Sequence, residues 1–132
     1  MTSGETHAET HELGMQMRRK VLGDEHVDRS LSEVTEFSRP VRELVDEYCW
    51  GVVWAADNLD PKIRSLLNLA MLTALNRPYE LGVHVRGAIA NGATLTEIQA
   101  TLLQCAIYLG VPAALDSFRV AERVLREMGL DV

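Results

Sequence analysis

Apolar residues along the chain recur at intervals of three and four and almost never alternate strictly, a pattern that predicts helices and no sheet. Leu13, Met17 and Val21 fall every four residues and Gly23 supplies a stop, so a short amphipathic helix is expected from Leu13 to Leu22. A weaker pattern (Val27, Leu31, Val34) lies between Asp24 and Glu36. Ser38 ahead of Arg39-Pro40 then reads as the start of a helix reaching Trp50 or Trp54, with Val41, Leu44, Val45 and Tyr48 on one side.

The next boundary is Asn58-Leu59-Asp60-Pro61, since Asp60 can cap free amides and Pro61 wastes no amide hydrogen at the first helical position. The helix after it, Lys62 to Leu75, is apolar on almost every side and is expected to be the central buried helix. Asn76-Arg77-Pro78 breaks it, and Pro78 opens a helix that lasts to Asn91, where Gly92 ends it. The capping box Thr94-x-x-Glu97 starts a helix from Leu95 to Leu109, closed by Gly110. Val111-Pro112 opens the last, to Met128. The expected fold is all-α: a single-domain bundle of about six helices over residues 13–132, behind a flexible leader, residues 1–12, with no apolar period of its own.

Composition narrows the function. With 132 residues, 47% hydrophobic and 24% charged, the chain is globular, not disordered. Its net charge of −6 and its single basic run, Arg18-Arg19-Lys20, disfavour a nucleic-acid partner. No stretch is long and apolar enough to span a membrane, and the start of the chain is polar and acidic, so a cytoplasmic protein is expected. Cys49 and Cys105 form no CxxC pair and sit in no Cys/His cluster, while His7 and His11 stand four apart with no third ligand, so no metal site is expected. The apolar surface of the Lys62–Leu75 and Leu95–Leu109 helices, with Trp50, Trp54 and Tyr79, exceeds what one small bundle hides, and predicts a homo-oligomer.

Candidate chemistry concentrates on the helix opened by Pro78. Leu81, Val85, Ala88 and Ile89 form its buried stripe, and Glu80 and His84 stand one turn apart at the edge of that stripe. A carboxylate so placed can hold one ring nitrogen, fix the tautomer and favour imidazolium, which suits proton delivery. The same spacing also describes an ordinary solvent-facing pair worth a few tenths of a kcal/mol. Arg64, alone among apolar residues on the preceding helix, needs an anion, from a protein carboxylate or from a substrate. Trp54 and Tyr108, near segment ends, are candidates to line a pocket.

Several runs together resemble the carboxymuconolactone decarboxylase family. They are Glu47-Tyr48-Cys49-Trp50-Gly51-Val52-Val53-Trp54, Leu59-Asp60-x-x-x-Arg64-Ser65-Leu66, Glu80-Leu81-x-x-His84-Val85-Arg86-x-Ala88, Asn91-Gly92, Glu97-Ile98 and Tyr108-x-Gly110-x-Pro112-Ala113-Ala114. They span roughly residues 30 to 128 in order. The resemblance implies an all-helical fold like that of the alkylhydroperoxidase D group, assembled as rings, usually hexamers, with trimers as the smaller form. One branch of that family reduces peroxides through a CxxC pair just ahead of the helix histidine; here Arg77 and Glu80 stand in its place, which removes a dithiol cycle there. The other branch carries a Glu/His pair, as Glu80 and His84 do, and implies cofactor-free decarboxylation of 4-carboxymuconolactone or a related lactone acid in protocatechuate breakdown.

That chemistry suits the residues. Loss of carbon dioxide leaves a dienolate, which needs charge stabilisation on an oxygen and then a proton on carbon. His84 is expected to supply both with Glu80 orienting it, Arg64 to hold the carboxylate that stays, and Trp54 and Tyr108 to line the substrate pocket. The competing readings are an oxidoreductase using Cys49 or Cys105 as a single peroxide-reducing thiol, and a non-catalytic helical binder.

Overall fold

In the computed structural model, which describes residues 6–132, every regular element among the described residues is helical. The chain divides after Asp60 into two compact units, Met1–Asp60 and Pro61–Val132.

The first unit holds α1 (His7–Leu22), α2 (Asp24–Ser32) and α3 (Arg39–Leu44), which runs on into a π-helical stretch, Val45–Trp54. Helix α1 begins six residues before the expected Leu13 because Thr6 and Glu9 form a capping box: Glu9 N donates to Thr6 Oγ1 at 3.1 Å, and Thr6 N donates to Glu9 Oε2 at 3.0 Å. The second half of the expected leader, His7 to Glu12, is therefore helix, and its first five residues lie outside the described residues. His7 pairs with Glu47, and His11 Nε2 lies 3.7 Å from Asp46 Oδ2, so both histidines dock α1 on acids of the π stretch. Ser38 does not cap α3; its hydroxyl accepts from Thr35 N instead, at 2.9 Å.

The buried face of the π stretch is Asp46, Trp50, Gly51 and Trp54, whereas Val41, Leu44 and Tyr48 of the expected stripe are exposed. Bonding from residue i to i+5, as in Ala55 N to Trp50 O at 2.9 Å, widens the turn, and a face reckoned at 3.6 residues per turn rotates away from the core. Trp50 and Trp54 stack with ring centroids 4.9 Å apart, and Val21 and Met17 of α1 pack with them. Arg18 is fully buried, with Nη1 3.3 Å from Asp46 Oδ1 and Nη2 donating to Ser30 Oγ at 2.8 Å; Arg19 pairs with Asp24 and Asp28. Two members of the basic run thus have internal acids as partners.

The second unit holds α4 (Pro61–Leu75), α5 (Pro78–Ala90), α6 (Leu95–Leu109) and α7 (Val111–Glu127) around a core that includes Leu69, Leu81, Val85, Ile98, Leu102 and Val124. The turn after α5 closes as expected: Gly92 at φ 91° allows Ala93 N to reach back to Ala88 O at 2.9 Å. Gly110 at φ 100° and ψ 148° ends α6 and starts α7 in one residue. The capping box of Thr94 and Glu97 is present.

Helix α4 departs from its expected central place. Ser65, Leu69 and Thr73 are buried, while Ile63, Leu67, Met71 and Leu75 are exposed. Its other three helices cannot surround it, and the uncovered side forms with α6 an apolar cleft of about 450 Å³. Among the described residues no helix is long and apolar enough to cross a membrane.

Candidate functional site

Helices α4 and α5 pack side by side and bring His84 against Asn68. Two polar contacts set the register between these helices. At the end of α5, Asn91 Nδ2 donates to Ser65 Oγ at 2.9 Å and to Pro61 O at 3.3 Å, which ties the C-terminus of one helix to the first turn of the other. Two turns earlier on α5, His84 Nδ1 stands 3.4 Å from Nδ2 of Asn68 on α4. Arg64 stands on α4 one residue before Ser65 and one turn before Asn68, so Arg64 and Asn68 rise from one face of that helix.

His84 is half-buried at the edge of a stripe in which Leu81, Val85 and Ala88 are fully buried, as the periodicity requires. Gly87, one residue before Ala88, is buried as well. Glu80 is exposed. The Nδ1 atom of the ring has the Asn68 amide as its neighbour. Arg64 is half-buried.

Asn68 escaped the sequence reading. It was visible as one of few polar side chains in an apolar helix, four residues after Arg64, but an Asn there also fits an exposed position, and nothing in a single helix says which neighbour its amide meets.

Trp54 belongs to the first unit and Tyr108 to the second. Trp54 is 4% exposed, stacked on Trp50 in the core of the first unit. Tyr108 is 80% exposed on the α4/α6 cleft, which is lined by Ile63, Leu67, Met71 and Cys105 among others but not by Arg64 or His84. The cysteines offer no activated thiolate: desolvation pushes the Cys49 thiol up, with Arg42 and Arg18 pulling against it, and desolvation also pushes up that of the buried Cys105. Among the described residues no group of three or more His, Cys, Asp or Glu side chains is placed to hold a metal ion.

Residues 39–123, which include Arg64, Asn68, Glu80 and His84, match the model of the carboxymuconolactone decarboxylase family. The chain is 39% identical to a nitrosuccinic acid decarboxylase of Metarhizium robertsii, over 96% of this chain and 89% of that one. It is 35% identical to a 4-carboxymuconolactone decarboxylase of Acinetobacter baylyi, over 91% of this chain and 90% of that one. The protein therefore belongs to the carboxymuconolactone decarboxylase family, two of whose members, matched over most of its length, are decarboxylases.

Proposed function

We propose that this protein decarboxylates a small acid carrying two carboxylates, one of them next to an electron-withdrawing group, without a cofactor. The substrates named for its two relatives share that logic. In 4-carboxymuconolactone the departing carboxylate leaves its electron pair conjugated with the lactone carbonyl; in nitrosuccinate the pair passes into the nitro group. Each reaction breaks one C–C bond, releases carbon dioxide and leaves an oxygen-centred anion that accepts a proton on carbon. Each also leaves one carboxylate untouched.

The observation that carries the reading is the placing of His84 on α5 across from the Arg64 and Asn68 turn of α4. A protonated His84 meets the charge developing on the nitro or lactone oxygen and then gives its proton to carbon, leaving the neutral ring. Glu80, exposed one turn away, returns a proton from solvent. Arg64 holds the carboxylate that stays, since clamping the departing one would stabilise the ground state as much as the transition state. Trp54 and Tyr108 take no part in these steps. The same reading includes self-association into a trimeric or hexameric ring that covers the exposed apolar face of α4 and α6.

The test is carbon dioxide release from each acid by purified protein. Turnover of either substrate that disappears in His84→Gln supports the reading. Turnover unchanged in that variant, or release from neither acid, overturns it.

A further inference from the structure

The group at His84 Nδ1 is an amide, not a carboxylate, and the two differ in consequence. A carboxylate only accepts, so it holds Nδ1–H and favours the charged ring. A carboxamide offers both functions. In the orientation found here Asn68 Nδ2 lies 3.4 Å from Nδ1, and since that nitrogen only donates, the ring nitrogen must be the acceptor. The neutral ring then carries its proton on Nε2. Turned over, the same amide presents its oxygen to Nδ1–H of the charged ring. The separation is long for a hydrogen bond, as contacts at unliganded sites often are.

We propose that Asn68 is the positioning residue of His84: it holds the ring through Nδ1 in both charge states, so that Nε2 is the atom turned to the substrate. This rests on His84 being the proton donor. The surroundings suit such a device. The charged residues nearest in sequence are Arg64, one turn before Asn68 on α4, and on α5 Arg86, two residues after His84, and Glu80, one turn before it; Arg86 pairs with Glu127 of α7 at 2.9 Å. Where α5 meets α7 at Gly82, the neighbouring side chains are Val124 and Val120. The uncharged amide adds no charge bias of its own to the ring. Anchoring both helices by Asn91 at Ser65 keeps the two residues in register without help from the ring.

The experiment is ¹⁵N-detected NMR of the histidine rings in the full chain, with the His84 resonances assigned by their loss in His84→Gln. Wild type should show the neutral ring protonated on Nε2. Asn68→Asp should move the proton to Nδ1 and raise the His84 pKa by about one unit or more, the range for a carboxylate in contact. Asn68→Leu, which offers no partner, should leave a mixture of tautomers. The pH limb of carbon dioxide release from nitrosuccinate or 4-carboxymuconolactone should follow the pKa in Asn68→Asp, and the rate should fall about tenfold in Asn68→Leu through loss of ring orientation. His84 signals unchanged across all three proteins would overturn the positioning role. Signals that move while the pH limb stays fixed would also overturn it, and would trace the failure to His84 as proton donor, not to its contact with Asn68.

Discussion

Gly14 of α1 and Gly51 of the π stretch cross with no room for a side chain between them. A Cβ added to Gly14 would meet Gly51 N at 2.7 Å and collide with the Asp46 carbonyl; one added to Gly51 would meet Thr10 Cγ2 at 2.9 Å and collide with the Thr10 carbonyl. The obstacles are backbone, which cannot swing aside as a flexible side chain can. Gly14→Ala should therefore destabilise the first unit by about 3 kcal/mol or more, despite the better helix propensity of alanine. The measurement is the denaturant midpoint. A variant as stable as wild type would mean that the two helices separate at little cost.

The second unit is pinned by a buried hydroxyl pair. Thr73 Oγ1 donates to Leu69 O at 2.7 Å and lies 2.8 Å from Ser117 Oγ, which joins α4 to α7. Thr73→Val leaves the Ser117 hydroxyl buried without that partner and should cost about 1–3 kcal/mol. The double variant Thr73→Val with Ser117→Ala removes both hydroxyls and should recover part of the loss. A double variant as damaged as the sum of the two single ones would show that the pair is not coupled.

Much of this architecture was legible because its signals are local. Pro78, Gly92, Gly110 and the box of Thr94 and Glu97 act on their own backbone, and each stands where the sequence places it. The box of Thr6 and Glu9 has the same spacing, but the polar stretch that follows it has no apolar period to mark a helix. What holds that stretch is tertiary: Thr10 is buried, and His7 and His11 reach acids of the π stretch. The π stretch was illegible for a related reason. Its sequence supports a 3.6-residue face as well as a wider one, and the choice falls to Gly14, Gly51 and the two tryptophans, which meet only in the folded unit. At the site, Arg64, Glu80 and His84 could be picked out by type and spacing, but which of them faces which depends on the offset between α4 and α5. That offset brought Asn68 to the ring.

Stability should depend on pH through His26 of α2. Desolvation is the largest cause of its lowered pKa, followed by the charges of Arg18, Arg29 and Arg42, with Glu33 opposing. The unfolded chain, with a histidine pKa near 6.5, then binds the proton more readily than the folded one. The stabilisation is complete above about pH 6.5 and is lost as the pH falls through the lower folded value. The melting temperature should drop as the pH falls below about 6.5, and His26→Gln should flatten that part of the curve while leaving the carboxylate-driven loss at more acid pH. A drop of equal size in the variant would assign it to other groups.

Arg64 separates binding from chemistry. It sits on α4 one turn from Asn68, on a different helix from His84, which is the position of a second anchor for an acid with two carboxylates. If the guanidinium grips the carboxylate that stays, it does so equally in ground and transition states. Arg64→Lys should then raise KM about tenfold with little change in kcat, because a point charge replaces a planar two-pronged donor. If Arg64 instead steadies the charge released with carbon dioxide, kcat should fall by itself, by about 10²-fold on the scale of lost oxyanion donors. A monocarboxylic analogue sharpens the distinction. Removing the staying carboxylate from the substrate should cost wild type what the lysine substitution costs, and should cost Arg64→Lys little more. Kinetics unaltered by Arg64→Lys, together with a lower melting temperature, would give the guanidinium a protein carboxylate as its anion and take it out of the site.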